Sequence, residues 1–367
     1  MKRFALIGCG VIGQVHAWAL AHAAGAELAV TCDIVAERAV KLADQHGAKA
    51  ITDYHEALAD PRIDAISIAL PHCDHARVFE EALAAGKHVI CEKPLGIHPA
   101  ELARMIDLAK RTDRVTAGVF QHRFSPVVET LAAYVQRGAL GKLTGARIDF
   151  VCERTAAYYD ADAWRGTWAG EGGGVLINQA IHTVDLLSVF LGRPVTVDGR
   201  AERRRLTNIE VEDHASARVD YGGGVEAEIL VRNVEAGGWR AELTLTGTRG
   251  RVVLDGSEAV KCVDSGDDEL RGALQRAQES RQPEQDVPGK PCYSDMHKPV
   301  FADFVSAMTS GGRPRVSIAD AAIANELVLA VYHSTATQGR VRLPMTGYQQ
   351  PRFTGVTATV SSSGAIA

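Results

Sequence analysis

Three features in the first hundred residues have the types and spacing for chemistry on a dinucleotide. Gly8-Cys9-Gly10-Val11-Ile12-Gly13 is a GxGxxG sequence between an apolar run, Lys2 to Ile7, and a helix-forming run, Val11 to Ala24. In such a loop Gly8 permits a tight turn, Gly10 lets a pyrophosphate approach the backbone, and Gly13 lets the helix pack closely on the strand. The free N–H groups and positive dipole end of that helix then face the phosphates. Asp33 lies 20 residues beyond Gly13, after a second apolar run from Glu27 to Cys32. Its carboxylate can accept hydrogen bonds from ribose hydroxyls and repel a 2′-phosphate, which favours NAD over NADP. Ile34 and Val35 bring no cation for that phosphate, and Arg38 is the nearest one. The competing reading of Asp33 is a helix N-cap. The third feature is Lys93, just past the buried run His88 to Cys91 and followed by Pro94. It reads either as a surface lysine or as a cation at the strand edge where α/β sheets bind ligands.

The elements that must hold these residues alternate. Further βα units are predicted at Ala65 to Leu70, Asp74 to Ala85, His88 to Cys91 and Glu101 to Arg111, which together imply a doubly wound parallel Rossmann sheet. After Arg123 the pattern changes to a helix, Val127 to Gln136, and then to period-two strands. Leu143 to Val151, His214 to Tyr221, Val225 to Val231 and Ala241 to Gly247 are the clearest, joined by glycine turns such as Gly222-Gly223-Gly224. This predicts a C-terminal α+β domain with a large, mostly antiparallel open sheet. Two late helices are expected at Lys298 to Thr309 and Ile318 to Thr337. The fold class is therefore α/β, with a dinucleotide-binding domain over 1–122, a substrate and oligomerisation domain over 123–345, and a tail over 346–367. The polar, proline-containing stretch from Asp264 to Pro291 reads as an exposed excursion or lid.

Composition narrows the partners. The 367 residues are 46% hydrophobic and 23% charged, the balance of an ordinary globular protein. Lys plus Arg is 40 against 45 for Asp plus Glu, a net charge of −5 without the basic excess of a nucleic-acid binder. No apolar run is long enough to span a membrane. Met1 to Cys9 imitates a lipoprotein leader, but its apolar run is too short and serves better as a first strand. The seven cysteines are scattered without a CxxC pair, which suits free thiols in a reducing cytoplasm. HExxH, GxSxG and P-loop motifs are missing, and Cys73-Asp74-His75 is too sparse for zinc, so no metal is expected.

The combination resembles the Gfo/Idh/MocA family, the glucose–fructose oxidoreductase and inositol dehydrogenase group. The resemblance rests on the glycine loop with His16, on Pro71 and His75, on Gly86-Lys87-His88-Val89, and above all on Glu92-Lys93-Pro94. It continues through Arg123-Phe124, Gly138, Gly141 and the block Gly172-Gly173-Gly174-Val175-Leu176-Ile177-Asn178-Gln179-Ala180-Ile181-His182-Thr183-Val184-Asp185, and ends near Leu343-Pro344. It implies that NAD is lined by Gly8, Gly10, Val11, Ile12, Gly13, Asp33, Ile34, Leu70, Pro71, His72, His75, Glu92, Lys93 and Gln121. It also implies catalysis by Lys93, orienting and polarising a secondary hydroxyl, and by His182 as general acid/base. An imidazole with a pKa near ~6.5 can take that proton near neutrality, and an ammonium stabilises the developing alkoxide. A homodimer or homotetramer through the C-terminal sheet is implied as well.

Two positions depart from the family pattern. Asn178 stands where many members have an acid, so it can bind hydroxyls but cannot take a proton. Ala180 replaces a glycine, a packing variation. Asn178, His182 and Asp185 have the i, i+4, i+7 spacing of one helical face, which lets Asp185 orient His182 or meet a substrate hydroxyl. The stretch from Tyr158 to Trp168 gathers aromatics, acids and Arg165, and Trp164 with its neighbours suits a sugar, inositol or related polyol; a tryptophan pair anchoring a loop is the alternative. Arg165 and Arg123 could instead meet a carboxylate or the cofactor, and Tyr293 and His297 could border the substrate. Two other activities compete with the dehydrogenase: an NAD-dependent glycosidase or lyase-like enzyme that oxidises transiently, and a non-catalytic sensor of dinucleotide and sugar.

Overall fold

The computed structural model describes residues 1–234, 238–280, 285–287, 290–293 and 296–353, with backbone alone at 285–287 and 290–293. The first part of the chain alternates strands and helices. The strands are β1 (Lys2–Ile7), β2 (Ala26–Cys32), β3 (Lys49–Ile51), β4 (Ala65–Ile68), β5 (His88–Cys91) and β6 (Thr116–Gly118), and the helices are α1 (Val11–His22), α2 (Ala36–His46), α3 (Tyr54–Ala59), α4 (His75–Ala84) and α5 (Pro99–Arg111). The strands form one parallel sheet in the order β3-β2-β1-β4-β5-β6. Helices cover both faces, and so β4 is buried at all four positions. The order reverses between β1 and β4. The crevice beyond their carboxyl ends is where open α/β sheets bind ligands.

The second part begins with α6 (Pro126–Gln136), β7 (Leu143–Glu153), α7 (Ala156–Asp160) and α8 (Ile181–Leu191). Next come β8 (Thr196–Glu202), β9 (His214–Asp220), β10 (Glu226–Val234), β11 (Arg240–Gly247), β12 (Gly250–Asp255), β13 (Ala259–Ser265) and α9 (Asp268–Glu279). The chain ends with β14 (Gln285–Val287), β15 (Lys290–Tyr293), α10 (His297–Ser310), α11 (Ile318–Thr337) and β16 (Val341–Arg342). An eight-stranded sheet runs β13-β12-β11-β7-β10-β9-β8-β16. It is antiparallel except for the parallel pair β7 and β10. Alternation sets its two faces: Ala227, Ile229 and Val231 point inward toward α8 and α11, whereas Glu226 and Glu228 are exposed.

Two findings revise the sequence reading. The stretch taken as an exposed lid carries α9, which buries Leu270 and Leu274 completely against α6 and β13. Those leucines are four apart and share a helix face, so the charged residues between them coat the outside. In addition, α10 returns to the first sheet and packs Phe304 on Phe4, ring centroids 6.1 Å apart. Ser317 pairs with Ala117 at the edge of β6, and α11 then lies between the two sheets. No helix among the described residues is long and apolar enough to cross a membrane.

Candidate active site

At the switch point the three glycines divide their work. A Cβ on Gly8 would sit 2.3 Å from the Ala69 carbonyl oxygen, and one on Gly13 2.1 Å from that of Gly8. Both are needed for the loop to close between β1, β4 and α1. A Cβ on Gly10 would meet nothing within 4 Å, so that face is open to a phosphate. Asp33 holds the loop: its Oδ2 accepts from the Cys9 N–H at 2.9 Å and its Oδ1 from the Val35 N–H at 2.8 Å. It is not the cap of α2, which begins after Val35 without a side-chain cap. Each carboxylate oxygen keeps a second lone pair for a ribose hydroxyl. Next to Asp33 in the chain Ile34 is 91% exposed, and Val11 at the start of α1 is 50% exposed. These residues fit a bound NAD.

The loops after β4 and β5 are pinned together under Lys93. His75 bridges them, with Nδ1 2.7 Å from the Pro94 oxygen and Nε2 2.9 Å from the Leu70 oxygen. Pro71 leads into the turn that carries His72, whose Nδ1 lies 2.8 Å from the Glu171 carbonyl oxygen, tying this edge to the second sheet's domain. Glu92 is buried. Its Oε2 accepts from the Lys93 N–H at 2.9 Å, and its Oε1 lies 3.0 Å from His16 Nε2 and 3.3 Å from His297 Nε2. Burial opposes its charge, but these two imidazoles hold the carboxyl well below its usual range. His16, Glu92 and His297 are also the types that hold a metal, with donor atoms within 4.8 Å of one another.

Above this base Lys93 Nζ donates to the Asn178 backbone oxygen at 2.9 Å and to its Oδ1 at 3.1 Å. The Asn178 amide nitrogen turns the other way, donating to Glu171 Oε1 and, at 3.3 Å, to the Tyr158 hydroxyl. Tyr158 also receives a hydrogen bond from Arg165 and one at 3.1 Å from Gln179. The Arg165 guanidinium lies 4.6 Å over Trp164, which packs 4.9 Å from the His72 ring. The His182 ring sits 4.9 Å from His122 and 5.8 Å from Phe120. Burial first, then His122 and Lys93, hold His182 well below the ordinary imidazole value, so it is neutral at pH 7. Its Nδ1 has no hydrogen-bond partner among the described residues. Lys93, Asn178 and His182 keep partial exposure while Glu92, Glu171 and Gln179 beside them are buried.

Comparison with known proteins agrees with this geometry. Residues 2–120 match the oxidoreductase family with an NAD-binding Rossmann fold, and residues 128–253 match the GFO/IDH/MocA C-terminal domain. The chain belongs to the Gfo/Idh/MocA family. It is an NAD-binding oxidoreductase. Myo-inositol 2-dehydrogenase of Thermotoga maritima is 26% identical over 93% of this chain and 98% of its own. Levoglucosan dehydrogenase of Pseudarthrobacter phenanthrenivorans is 30% identical over 51% of this chain and 50% of its own. The WlbA dehydrogenase of Chromobacterium violaceum, crystallised with NADH and UDP-GlcNAcA, superimposes with a TM-score of 0.84 at 26% identity, over 95% of this chain and 97% of that one.

Within this Gfo/Idh/MocA site some expected residues stand elsewhere. Asn178, His182 and Asp185 do not share one regular α-helical face, because Leu176–Ala180 form a π turn ahead of α8. Such a turn inserts an extra residue and re-aims its side chains. Asp185 points to Arg123, which donates to its two oxygens at 2.7 and 2.6 Å, and no hydrogen bond joins it to His182. That buried pair fastens α8 to the turn before α6, so Arg123 and Asp185 act on each other instead of on a substrate. His297 lies under Lys93 on Glu92, on the first sheet's side. Gln121 and Leu70 stand at the ends of the loops around the crevice, Ile12 in the first turn of α1, and the Tyr293 side chain lies outside the described residues. The sequence reading missed His122, Glu171 and Gln179 as site residues and named Tyr158 only as the start of the aromatic stretch. Gln179 lies within the glycine-rich block and Glu171 just before it, which was the available signal; His122 had none beyond its type.

Proposed function

We propose that this protein is an NAD-dependent dehydrogenase acting on a secondary alcohol of a sugar, inositol or related polyol. The observation that carries the reading is the pairing of a lysine and a neutral histidine, both partly exposed, at the carboxyl edge of a sheet with a NAD cradle. When bound, NAD supplies the oxidant for the carbon that bears the hydroxyl. Lys93 commits hydrogen bonds to Asn178 and retains one N–H for the substrate oxygen, where its positive charge stabilises the developing alkoxide. His182 takes the hydroxyl proton, since burial keeps its imidazole neutral while the residue retains some exposure toward the site. Trp164 and Tyr158 place aromatic surface beside the polar partners a sugar needs, with the Arg165 guanidinium lying over both rings. Asp33 supports NAD over NADP.

A second reading has the sugar carrying a carboxylate or nucleotide. Arg165 favours it, because its guanidinium stands beside Tyr158 and Trp164 and contributes to the field at Lys93. The outward face of the second sheet, where Arg232 and Arg240 share Asp149, is the surface proposed for a homodimer or homotetramer. The test is NADH absorbance with purified protein across inositols, aldoses, uronic acids, sugar nucleotides and glycosides, with NADP in parallel. Reduction of NAD by one of them, faster than of NADP, is expected. Silence across the panel, with NAD still bound, would favour the glycosidase or the sensor.

A further inference from the structure

Glu171 is completely buried, and its Oε2 accepts from the Gly166 N–H at 2.6 Å. Its other oxygen receives the Asn178 amide nitrogen, and this contact decides how the amide is turned. With its N–H group committed to Glu171 and Tyr158, the amide must present Oδ1 to Lys93. A flipped amide would set its own N–H against the ammonium and waste the carboxylate. Among the described residues no carboxylate touches the Lys93 ammonium directly: Glu92 spends its oxygens on the Lys93 backbone N–H, His16 and His297.

We propose that Glu171 is the positioning residue of this site: acting through Asn178, it orients the Lys93 ammonium and supplies the negative charge that keeps it protonated. This deepens the dehydrogenase reading and rests on it for the role of Lys93. The groups that act on Lys93 have both signs. Glu92 and Glu171 favour its charge, Arg154 and Arg165 oppose it, and His72 and His182 face it as neutral imidazoles. Burial is the largest influence and lowers the Lys93 pKa; it raises that of Glu171 too, against which the Gly166 N–H, the Asn178 amide, Arg165 and Lys93 favour the carboxylate, so removing one of two supporting carboxylates should move the balance measurably.

The test needs no substrate. The NAD-saturated protein is labelled with acetic anhydride over a pH series, and acetylation of Lys93 is read by peptide mass spectrometry, with exposed Lys49 as reference. Glu171→Gln should lower the Lys93 midpoint by about one unit, the scale of losing a nearby opposite charge. The double variant Glu171→Gln/Asn178→Asp, which sets a carboxylate directly against the ammonium, should restore it. Once a substrate is found, the alkaline limb of its oxidation should move with the midpoint. An unchanged midpoint in a Glu171→Gln protein that binds NAD normally would overturn the proposal. So would loss of NAD binding in both variants, which would make Glu171 a structural residue only. A protein that reduces no NAD with any sugar sinks the dehydrogenase reading but leaves the Lys93 titration standing.

Discussion

Gly10 and Gly13 separate the binding of NAD from the stability of the fold. In Gly13→Ala the new methyl would lie 2.1 Å from the Gly8 carbonyl oxygen, a backbone atom that cannot swing away. Overpacking of this kind costs about 1–3 kcal/mol, and the upper end applies where the obstacle is backbone. Alanine returns about 1 kcal/mol of helix propensity at this position in α1, leaving a net loss of about 1–2 kcal/mol. In Gly10→Ala the methyl meets no protein atom within 4 Å, and the residue is an N-cap with extended backbone, φ −71° and ψ −163°. The exchange costs at most about 1 kcal/mol of stability, but the methyl fills the space left for the pyrophosphate. NAD affinity should fall at least ~10-fold, or about 1.4 kcal/mol. Urea unfolding without cofactor measures the first quantity, and calorimetric titration with NAD the second. Wild-type NAD affinity in Gly10→Ala, or wild-type unfolding in Gly13→Ala, would refute the division of roles.

Arg123→Ala strands Asp185, which has no exposed surface, and should cost about 3–5 kcal/mol. Burial already raises the Asp185 pKa, so the loss should shrink as pH falls and the stranded carboxyl protonates; urea unfolding at two pH values checks both points. Leu274→Ala should destabilise by about 2–5 kcal/mol, since the leucine is fully buried, and a neutral result would return 268–279 to the status of a lid. Asp33→Ser should narrow the preference for NAD over NADP at least ~10-fold by removing the charge that repels a 2′-phosphate, as read from the two dissociation constants.

What the sequence makes legible is periodicity and local chemistry. The first sheet could be read at β1, β2, β4 and β5, which are short apolar runs between turn signals, whereas β3 and β6 have three residues each and were missed; the glycine loop could be read because its three glycines have separate steric reasons. The second sheet showed through its period-two strands, although β8, β12 and β13 are half polar and escaped notice. Periodicity says which face is buried, not what it meets. Arg123 and Asp185 are 62 positions apart and Glu92 and His297 are 205 apart, so nothing local announces either pair. The π turn over Leu176–Ala180 likewise depends on tertiary packing: a Cβ on Gly173 would strike the Tyr332 hydroxyl at 2.2 Å, and one on Gly174 the Glu212 carbonyl oxygen at 2.0 Å. Burial of Glu212 pushes its carboxyl up to about 7, while the Leu176 and Gly174 N–H groups it accepts pull the other way. Charged residues on the outside of α9 concealed its apolar stripe, although Leu270, Leu274 and Ala277 were there to be counted.

The role of His182 as the proton acceptor is tested most directly by the pH dependence of kcat/KM for NAD reduction, in wild type and His182→Asn, with the sugar that the panel selects. A base whose pKa is depressed is competent above that pKa and loses activity only as pH falls through it. Wild-type activity should therefore stay level through the ordinary imidazole value near ~6.5 and decline at more acid pH, and His182→Asn should lose at least ~100-fold together with that acid limb. A His182→Asn enzyme that keeps the wild-type rate, or keeps the acid limb, would contradict the assignment.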